Sequence, residues 1–330
     1  MSPAPAPRPP EAAGPDLRVD LGRGLVLPNP VGLASGTAGY GFELRQLIDL
    51  DRLGALFTKG TTLRPRDGNP PPRVAEVRGG MLNSIGLHNP GVEQVAAVYA
   101  AEFARWTIPV VVNVAGGDID DYLACLDRLD RAEGLDGYEL NISCPNIANG
   151  LDLGRDPAAA ARLVSAARAR TGRHLMVKLS PNVTDIAAVA RAVEEAGVDS
   201  VSAVNTYVGM KVHRGIRAPV LPGRGTGGLS GPVIKPLALA AVAQVRAAVR
   251  IPVVGVGGIM DAGDALEFLI AGADAVQVGT ATFVNPGAAL EILDGLLALA
   301  LRFGTGRLPG PLGRAVTAVP PAGIEPASTG

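Results

Sequence analysis

The strongest constraint on this chain is a rhythm. Short, β-branched apolar runs alternate with helical periodicity eight times between residues 31 and 303. The runs cover 31–36, 55–60, 109–114, 137–142, 174–179, 200–206, 252–258 and 274–280. The segments between and after them read as helices over 42–50, 91–106, 118–131, 156–171, 183–197, 233–249, 261–271 and 288–303. Strands separated in this way call for a parallel sheet with helices outside it, and eight units favour closure into an α/β (β/α)8 barrel. An open doubly wound sheet is the alternative. The Gly-x-Gly-x-x-Gly turn that would follow its first strand is missing. With 330 residues and 47% hydrophobic content, the chain has material for one large core.

Around this frame, residues 17–27 read as a short hairpin that closes the barrel bottom. Two long insertions stand out. Residues 61–90 are rich in Pro and Gly, yet Met81 to Leu87 is too apolar for a linker, so the segment reads as an ordered loop folded back over a site. Residues 207–230 form the second insertion. Residues 1–15 read as a disordered extension, 16–307 as the barrel and 308–330 as a disordered tail. Residues 1–15 look like neither a signal peptide nor a membrane span. The apolar run 288–301 carries Glu291 and Asp294 and is too short to cross a bilayer.

Charge and cysteine content narrow the partners. The 30 basic and 31 acidic residues leave no electrostatic footprint for nucleic acid. Two cysteines, Cys125 and Cys144, are too few for a disulfide framework or an iron–sulfur site, and a cytoplasmic, reduced setting follows. Cys125 sits among leucines at helical spacing and reads as core, while His88 and His174 read as loop-bracing and structural residues rather than metal ligands. Basic residues are overwhelmingly Arg, so the few lysines mark places that need a compact ammonium. Two of them, Lys59 and Lys178, end strand-like runs.

Barrel chemistry gathers at the C-terminal ends of the strands. Read in turn, those ends hold Ser35, Lys59, Asn113, Asn141 with Cys144, Lys178, Asn205 with Thr206, Gly257-Gly258 and Gly279-Thr280. A structural barrel has no reason to place two lysines and three asparagines on one rim. Glycines after the last two strands suit a phosphate held on backbone N–H groups. Asparagines suit a flat heterocycle with amide edges, and lysines suit a carboxylate or an anionic ring. Cys144 is a small core residue, a proton carrier or a nucleophile, and it is the most plausible base in the set. No His or carboxylate stands among these rim positions, which disfavours a metal-assisted hydrolase.

These residues resemble the dihydroorotate dehydrogenase family. The resemblance rests on Asn29-Pro30-Val31 with Ala34 to Thr37, Thr58-Lys59, Pro65-Arg66 with Gly68-Asn69-Pro70 and Pro72-Arg73, Asn83 to Leu87, Asn141-Ile142-Ser143-Cys144-Pro145-Asn146, Val177 to Asn182, Asn205-Thr206, Gly227 to Pro232, Gly257-Gly258-Ile259 and Gly279-Thr280. They run in the family's order across most of the barrel. The resemblance implies FMN across the barrel mouth, its phosphate near Gly231, Gly257, Gly258, Gly279 and Thr280. Ala34, Ser35, Gly60, Asn113, Asn141 and Val204 would line its ring and ribityl chain, with Lys178 near flavin N1. Lys59 would meet both flavin and substrate. Asn83, Asn141, Asn146, Asn205 and Thr206 would hold the pyrimidine, with the Ser84-Ile85-Gly86-Leu87 loop beside its carboxylate. Cys144 would be the base in the oxidation of (S)-dihydroorotate to orotate.

Cys at position 144 resembles the soluble class 1 enzymes, and the wording of the 81–91 and 227–232 segments is similar to the NAD-linked subclass, class 1B. That resemblance implies a homodimer of this chain joined to a partner subunit carrying FAD and a [2Fe–2S] cluster, as a heterotetramer. Gly60 and His88 depart from the family's usual residues. The rival readings are a fumarate-linked class 1A-type enzyme, a dihydropyrimidine dehydrogenase-like flavin barrel, a tRNA dihydrouridine synthase-like enzyme, which the lack of basic surface disfavours, and a non-catalytic phosphate-ligand barrel.

Overall fold

The computed structural model describes residues 15–143, 153–221, 225–303 and 308. Cys144, Asn146 and nearly all of the two expected tails lie outside the described residues. Eight strands form the barrel: β1 (Val31–Leu33), β2 (Ala55–Phe57), β3 (Val110–Val114), β4 (Gly137–Asn141), β5 (His174–Lys178), β6 (Ser200–Ala203), β7 (Val253–Val256) and β8 (Ala275–Val278). Each lies parallel to the next, and β8 pairs with β1 to close the ring. The expected (β/α)8 barrel is borne out.

Among the described residues, six long helices cover the outside: α1 (Ile119–Leu129), α2 (Pro157–Arg168), α3 (Ile186–Glu195), α4 (Lys235–Ala248), α5 (Ala262–Ala271) and α6 (Ala288–Arg302). Four begin at an aspartate whose carboxylate accepts a first-turn N–H: Asp118 from Asp121, Asp156 from Ala158, Asp185 from Ala188 and Asp261 from Asp264. Each such cap is worth about 1 kcal/mol. The helix expected over 91–106 is interrupted. Val92–Gln94 and Ala100–Phe103 are α-helical, and Val95–Tyr99 between them is a π-helical turn.

The helix expected over 42–50 is not formed. Two 3₁₀ turns, Leu44–Gln46 and Leu50–Arg52, take its place. Asp49 between them is extended, at φ −79° and ψ 94°, and its carboxylate accepts the N–H of Asp51, so the chain restarts there instead of continuing a helix. Phe42 meanwhile packs against Tyr99, Phe103 and Trp106, an anchor that outweighs local helix propensity.

The barrel has two apolar layers because strand side chains alternate. Outward-facing Val110, Val112, Tyr138, Leu140, Leu175, Val177, Val201 and Val276 pack against the helices. Inward-facing Phe57, Val111, Met176, Val254 and Ala275 fill the bottom. Leu21, Leu25 and Leu27 complete that plug from the antiparallel pair Val19–Asp20 and Val26–Leu27, as the hairpin reading requires. His174 clasps the plug at the opposite end of β5 from Lys178. Its Nδ1 lies 3.0 Å from the Gly22 carbonyl and its Nε2 lies 2.9 Å from Ser200 Oγ. Beside it, Arg23 and Arg168 both reach the Asp199 carboxylate, each at 2.8 Å.

The two insertions pair with each other. Val74–Val77, Gly80–Asn83, Gly227–Ser230 and Tyr207–Gly209 form a four-stranded antiparallel sheet over the barrel mouth. Its glycines allow the close approach: a Cβ on Gly80 would lie 2.2 Å from the Ser230 carbonyl oxygen, and one on Gly228 would lie 2.3 Å from Thr206 Oγ1. Among the described residues no helix is long and apolar enough to cross a membrane.

Candidate active site

Alternation places the site. Two residues beyond the apolar plug, the same inward face turns polar: Val111 gives way to Asn113, Met176 to Lys178 and Ala275 to Gln277. Glu139 and Ser202 complete this layer, and all five side chains are buried. Glu139 spans the interior. Its Oε2 accepts from Asn113 Nδ2 at 2.6 Å, and its Oε1 accepts from Ser202 Oγ at 2.7 Å and from Gln277 Nε2 at 2.9 Å. The Lys178 ammonium donates to Gln277 Oε1 at 3.3 Å and to Ser35 Oγ at 3.2 Å.

Above this layer the amides continue. Asn141 Nδ2 donates to Asn113 Oδ1 at 3.4 Å, and Asn205 Nδ2 donates to Asn141 Oδ1 at 3.1 Å. The Thr206 N–H donates to Asn205 Oδ1 at 2.8 Å. Asn182 pins the following turn, giving a hydrogen bond to the Thr206 carbonyl and taking one from the Val208 N–H, both at 2.9 Å.

Asn113, Asn141, Lys178, Asn182, Asn205 and Thr206 line one cavity of about 1380 Å³ at the C-terminal rim and form its floor, while Glu139, Ser202 and Gln277 do not line it. Its walls carry Lys59, Gly60, Asn83, Ser84, Ile85, Gly86 and Leu87, together with Gly231, Gly257, Gly258, Gly279 and Thr280. Ala34, Ser35, Asn113, Asn141, Lys178, Val204, Asn205 and Thr206 line it as well, so every described residue that the resemblance assigns to cofactor or substrate borders the same space. Cys144 and Asn146 lie outside the described residues, although the Asn141-Ile142-Ser143 segment leading to them ends at this cavity.

Three features give the cavity its chemistry. The Lys59 ammonium has no hydrogen bond or ion pair among the described residues, and burial pushes its pKa below the usual lysine value. A partly desolvated cation without a partner is a site for an anion. Gly231, Gly257 and Gly258 have no room for side chains: a Cβ on Gly258, at φ +78°, would stand 2.9 Å from the Gly231 carbonyl oxygen and from Lys235 Cβ. That backbone lies open to the cavity, as a phosphate cradle requires. The 83–91 loop is held from behind by buried Asn89, which bonds Thr62 Oγ1 at 2.8 Å and the Leu87 carbonyl at 2.6 Å and accepts from the Thr62 and Gly91 N–H groups. His88 is exposed at the mouth. Tyr40 lines the wall, bonded to Thr61 Oγ1 at 3.1 Å, and burial pushes its phenol up to about 12.

Strand ends alone do not reveal Glu139, Ser202 and Gln277, because these sit within strands. Their signal is parity: Glu139 is two residues from Asn141 on the same face, and Gln277 is the one polar residue within Ala275 to Val278.

A closed parallel barrel with a polar, ammonium-bearing cavity at its C-terminal rim defines a (β/α)8-barrel enzyme. A profile of the family described as dihydroorotate dehydrogenase matches residues 20–299. The chain belongs to that family of oxidoreductases. It is 50% identical over 283 residues to a protein of Pelobacter propionicus, covering 86% of this chain and 92% of the relative. It is 50% identical over 292 residues to one of Desulforamulus reducens (88% and 95%), and 51% identical over 283 residues to one of Trichlorobacter lovleyi (86% and 92%). All three are named dihydroorotate dehydrogenase B (NAD(+)), catalytic subunit. The likeness to the NAD-linked subclass read from the motifs is thereby borne out.

Proposed function

We propose that this chain oxidises (S)-dihydroorotate to orotate in pyrimidine biosynthesis, with FMN as its resident cofactor. The observation that carries the reading is the meeting, in one cavity, of an open glycine wall with an amide floor and two lysines. The residues fit the group. Pockets for one ligand typically measure about 300–1,000 Å³, and this cavity of about 1380 Å³ has room for a flavin and a pyrimidine together. Gly231, Gly257, Gly258, Gly279 and Thr280 would hold the phosphate on backbone N–H groups. Ala34, Ser35, Gly60, Asn113, Asn141 and Val204 would line the ring and ribityl chain. Lys178 would supply positive charge beside the ring. When bound, FMN supplies the acceptor for the hydride that leaves C6 of dihydroorotate.

The chain's own residues do the rest. Lys59 and the Asn83 to Leu87 loop would orient the substrate carboxylate, an anion matched to an ammonium that has no partner among the described residues. Asn83, Asn141, Asn146, Asn205 and Thr206 would hold the amide edges of the pyrimidine. Cys144 would take the C5 proton as a thiolate, the form in which a thiol acts as a base.

The relatives are named as catalytic subunits of an NAD(+) enzyme, which supports a second subunit for this chain also. We assign that partner FAD and a [2Fe–2S] cluster, with two copies of each chain in a cytoplasmic heterotetramer built on a homodimer of this subunit. Purification tests the reading directly. The protein is expected to be yellow, to release FMN on denaturation, and to bleach anaerobically with dihydroorotate but not with dihydrouracil. A colourless chain that FMN cannot reconstitute would refute it. Efficient NAD reduction by this chain alone would remove the partner.

A further inference from the structure

Glu139 and Lys178 are the one buried carboxylate and the one buried lysine among the described residues. They do not touch. Gln277 stands between them, giving its amide N–H to Glu139 at 2.9 Å and presenting its oxygen to the Lys178 ammonium at 3.3 Å. On the other side, Asn113 does the same toward the asparagines: its amide N–H goes to Glu139 at 2.6 Å, and its oxygen accepts from Asn141 at 3.4 Å. Ser202 also donates to Glu139, at 2.7 Å.

A side-chain amide has a donor end and an acceptor end, whereas a carboxylate only accepts. A single buried acceptor therefore fixes which way every amide behind it points. With Asn113 giving its N–H to Glu139, its oxygen must face Asn141. Asn141 then gives its N–H to Asn113, and its oxygen faces Asn205, which donates at 3.1 Å. Each link uses one of the two hydrogens on its amide nitrogen. The second hydrogen of Asn141 and of Asn205 has no partner among the described residues, and both side chains line the cavity, so the floor offers donors to a ligand. The same rule applied to Gln277 turns an oxygen toward Lys178 and holds the ammonium beneath the cavity.

Resting on the function proposed above, we propose that Glu139 is the positioning residue that sets the hydrogen-bond polarity of the whole floor. Through Asn113 it makes the asparagines donors, which selects a ligand presenting carbonyl oxygens such as the pyrimidine edge. Through Gln277 it anchors Lys178 and supplies the counter-charge to it.

Glu139→Gln tests this with almost no change of shape. An amide at this position keeps one acceptor end and turns the other into a donor, so whichever of Asn113 and Gln277 meets the donor must turn over or leave a buried donor unpaired. Orotate affinity, read by titrating the flavin absorbance of the FMN-loaded protein, is expected to weaken by at least about tenfold, the cost of one unpaired buried polar group. The flavin midpoint potential is expected to rise, because Lys178 keeps its charge and loses its counter-charge. Glu139→Asp keeps the charge and should hold the potential near wild type. Gln277→Met deletes the amide oxygen facing Lys178 and should raise the potential by a smaller amount, an independent check should Glu139→Gln not fold. Unchanged orotate affinity and potential in Glu139→Gln, or an unchanged potential in Gln277→Met, would overturn the proposal. Wild-type protein that binds FMN but shows no flavin perturbation with orotate would instead refute the proposed function.

Discussion

Three glycine-to-alanine substitutions separate the two costs that the glycine wall avoids. Gly172 has an ordinary backbone conformation, and an added Cβ would meet nothing within 4 Å. Gly24 has φ +79° and equally open surroundings. Gly258 has φ +78°, and its added Cβ would meet three atoms at 2.9 Å: the Gly231 carbonyl oxygen and Lys235 N and Cβ. Gly172→Ala removes freedom from the unfolded chain and should be neutral or stabilising by about 0.4–1 kcal/mol. Gly24→Ala adds a left-handed alanine, which costs about 1–2 kcal/mol. Gly258→Ala adds that same strain and a clash with backbone atoms that cannot swing aside, for a further cost of about 1–3 kcal/mol. Thermal midpoints should therefore fall in the order Gly172→Ala, Gly24→Ala, Gly258→Ala. FMN affinity, followed by recovery of flavin fluorescence on dilution, should change only in the last. Relief of the clash moves Gly231 away from Gly258, and a loss of about 1.4 kcal/mol in phosphate contacts is about tenfold in Kd. If Gly258→Ala binds FMN as tightly as Gly24→Ala, the phosphate does not sit on this wall. If Gly24→Ala and Gly258→Ala melt together, the clash inferred at Gly258 is not there.

Lys59→Met should weaken orotate binding by about tenfold or more, while the thermal midpoint holds or rises, because a partly buried charge without a partner costs stability; flavin-absorbance titration and calorimetry read the two effects. Because burial lowers the Lys59 pKa, wild-type orotate affinity should begin to fall at a pH below the normal lysine range and level off once the ammonium is lost. Affinity that stays flat until ordinary lysine titration would refute the assignment. His174 is a base whose folded pKa lies below its free value of 6.5, through burial. Both states are neutral above that free value, so its full contribution is present there. It is lost as pH falls, because the unfolded chain takes up a proton that the folded one refuses. Urea unfolding between pH 5 and 8 should show a steeper acid loss in wild type than in His174→Gln. Cys144→Ala should keep FMN and lose most dihydroorotate oxidation at neutral pH, and Cys144→Ser should gain activity as pH rises. Near-normal flavin reduction in the alanine variant would remove Cys144 from the base role.

The barrel was legible because its rhythm is long range and redundant. Each strand–helix unit repeats the same period change, and four helices announce themselves with an aspartate cap. What misled was local. Residues 42–50 carry helical periodicity, yet Asp49 captures the Asp51 N–H and Phe42 is committed to the aromatic cluster. The sheet over the mouth was hidden for another reason. Gly227 and Gly228 are poor strand formers by propensity, but only glycine lets these backbones lie against Asn83 and Thr206. Propensity counts the entropy that glycine loses and cannot see the contact that requires it.

The candidate site was legible where chemistry coincides with a strand end and illegible where it lies one period deeper. Lys59, Asn141, Asn205 and the glycine pairs stand at ends, where a polar residue has no structural excuse. Glu139, Ser202 and Gln277 lie inside strands, where a lone polar residue is easily read as an outward, solvated position. Parity decides between those readings. In β4 the outward face is already taken by Tyr138 and Leu140, both fully buried against helices. A carboxylate between them must therefore point into the barrel, and there it survives only with partners for both oxygens. Those partners can come only from neighbouring inward positions, which in this barrel are Asn113, Ser202 and Gln277. In a barrel whose outer face is wholly apolar, each polar residue inside a strand thus implies another across the interior, and the buried network beneath the cavity follows from the same alternation that fills the plug below it.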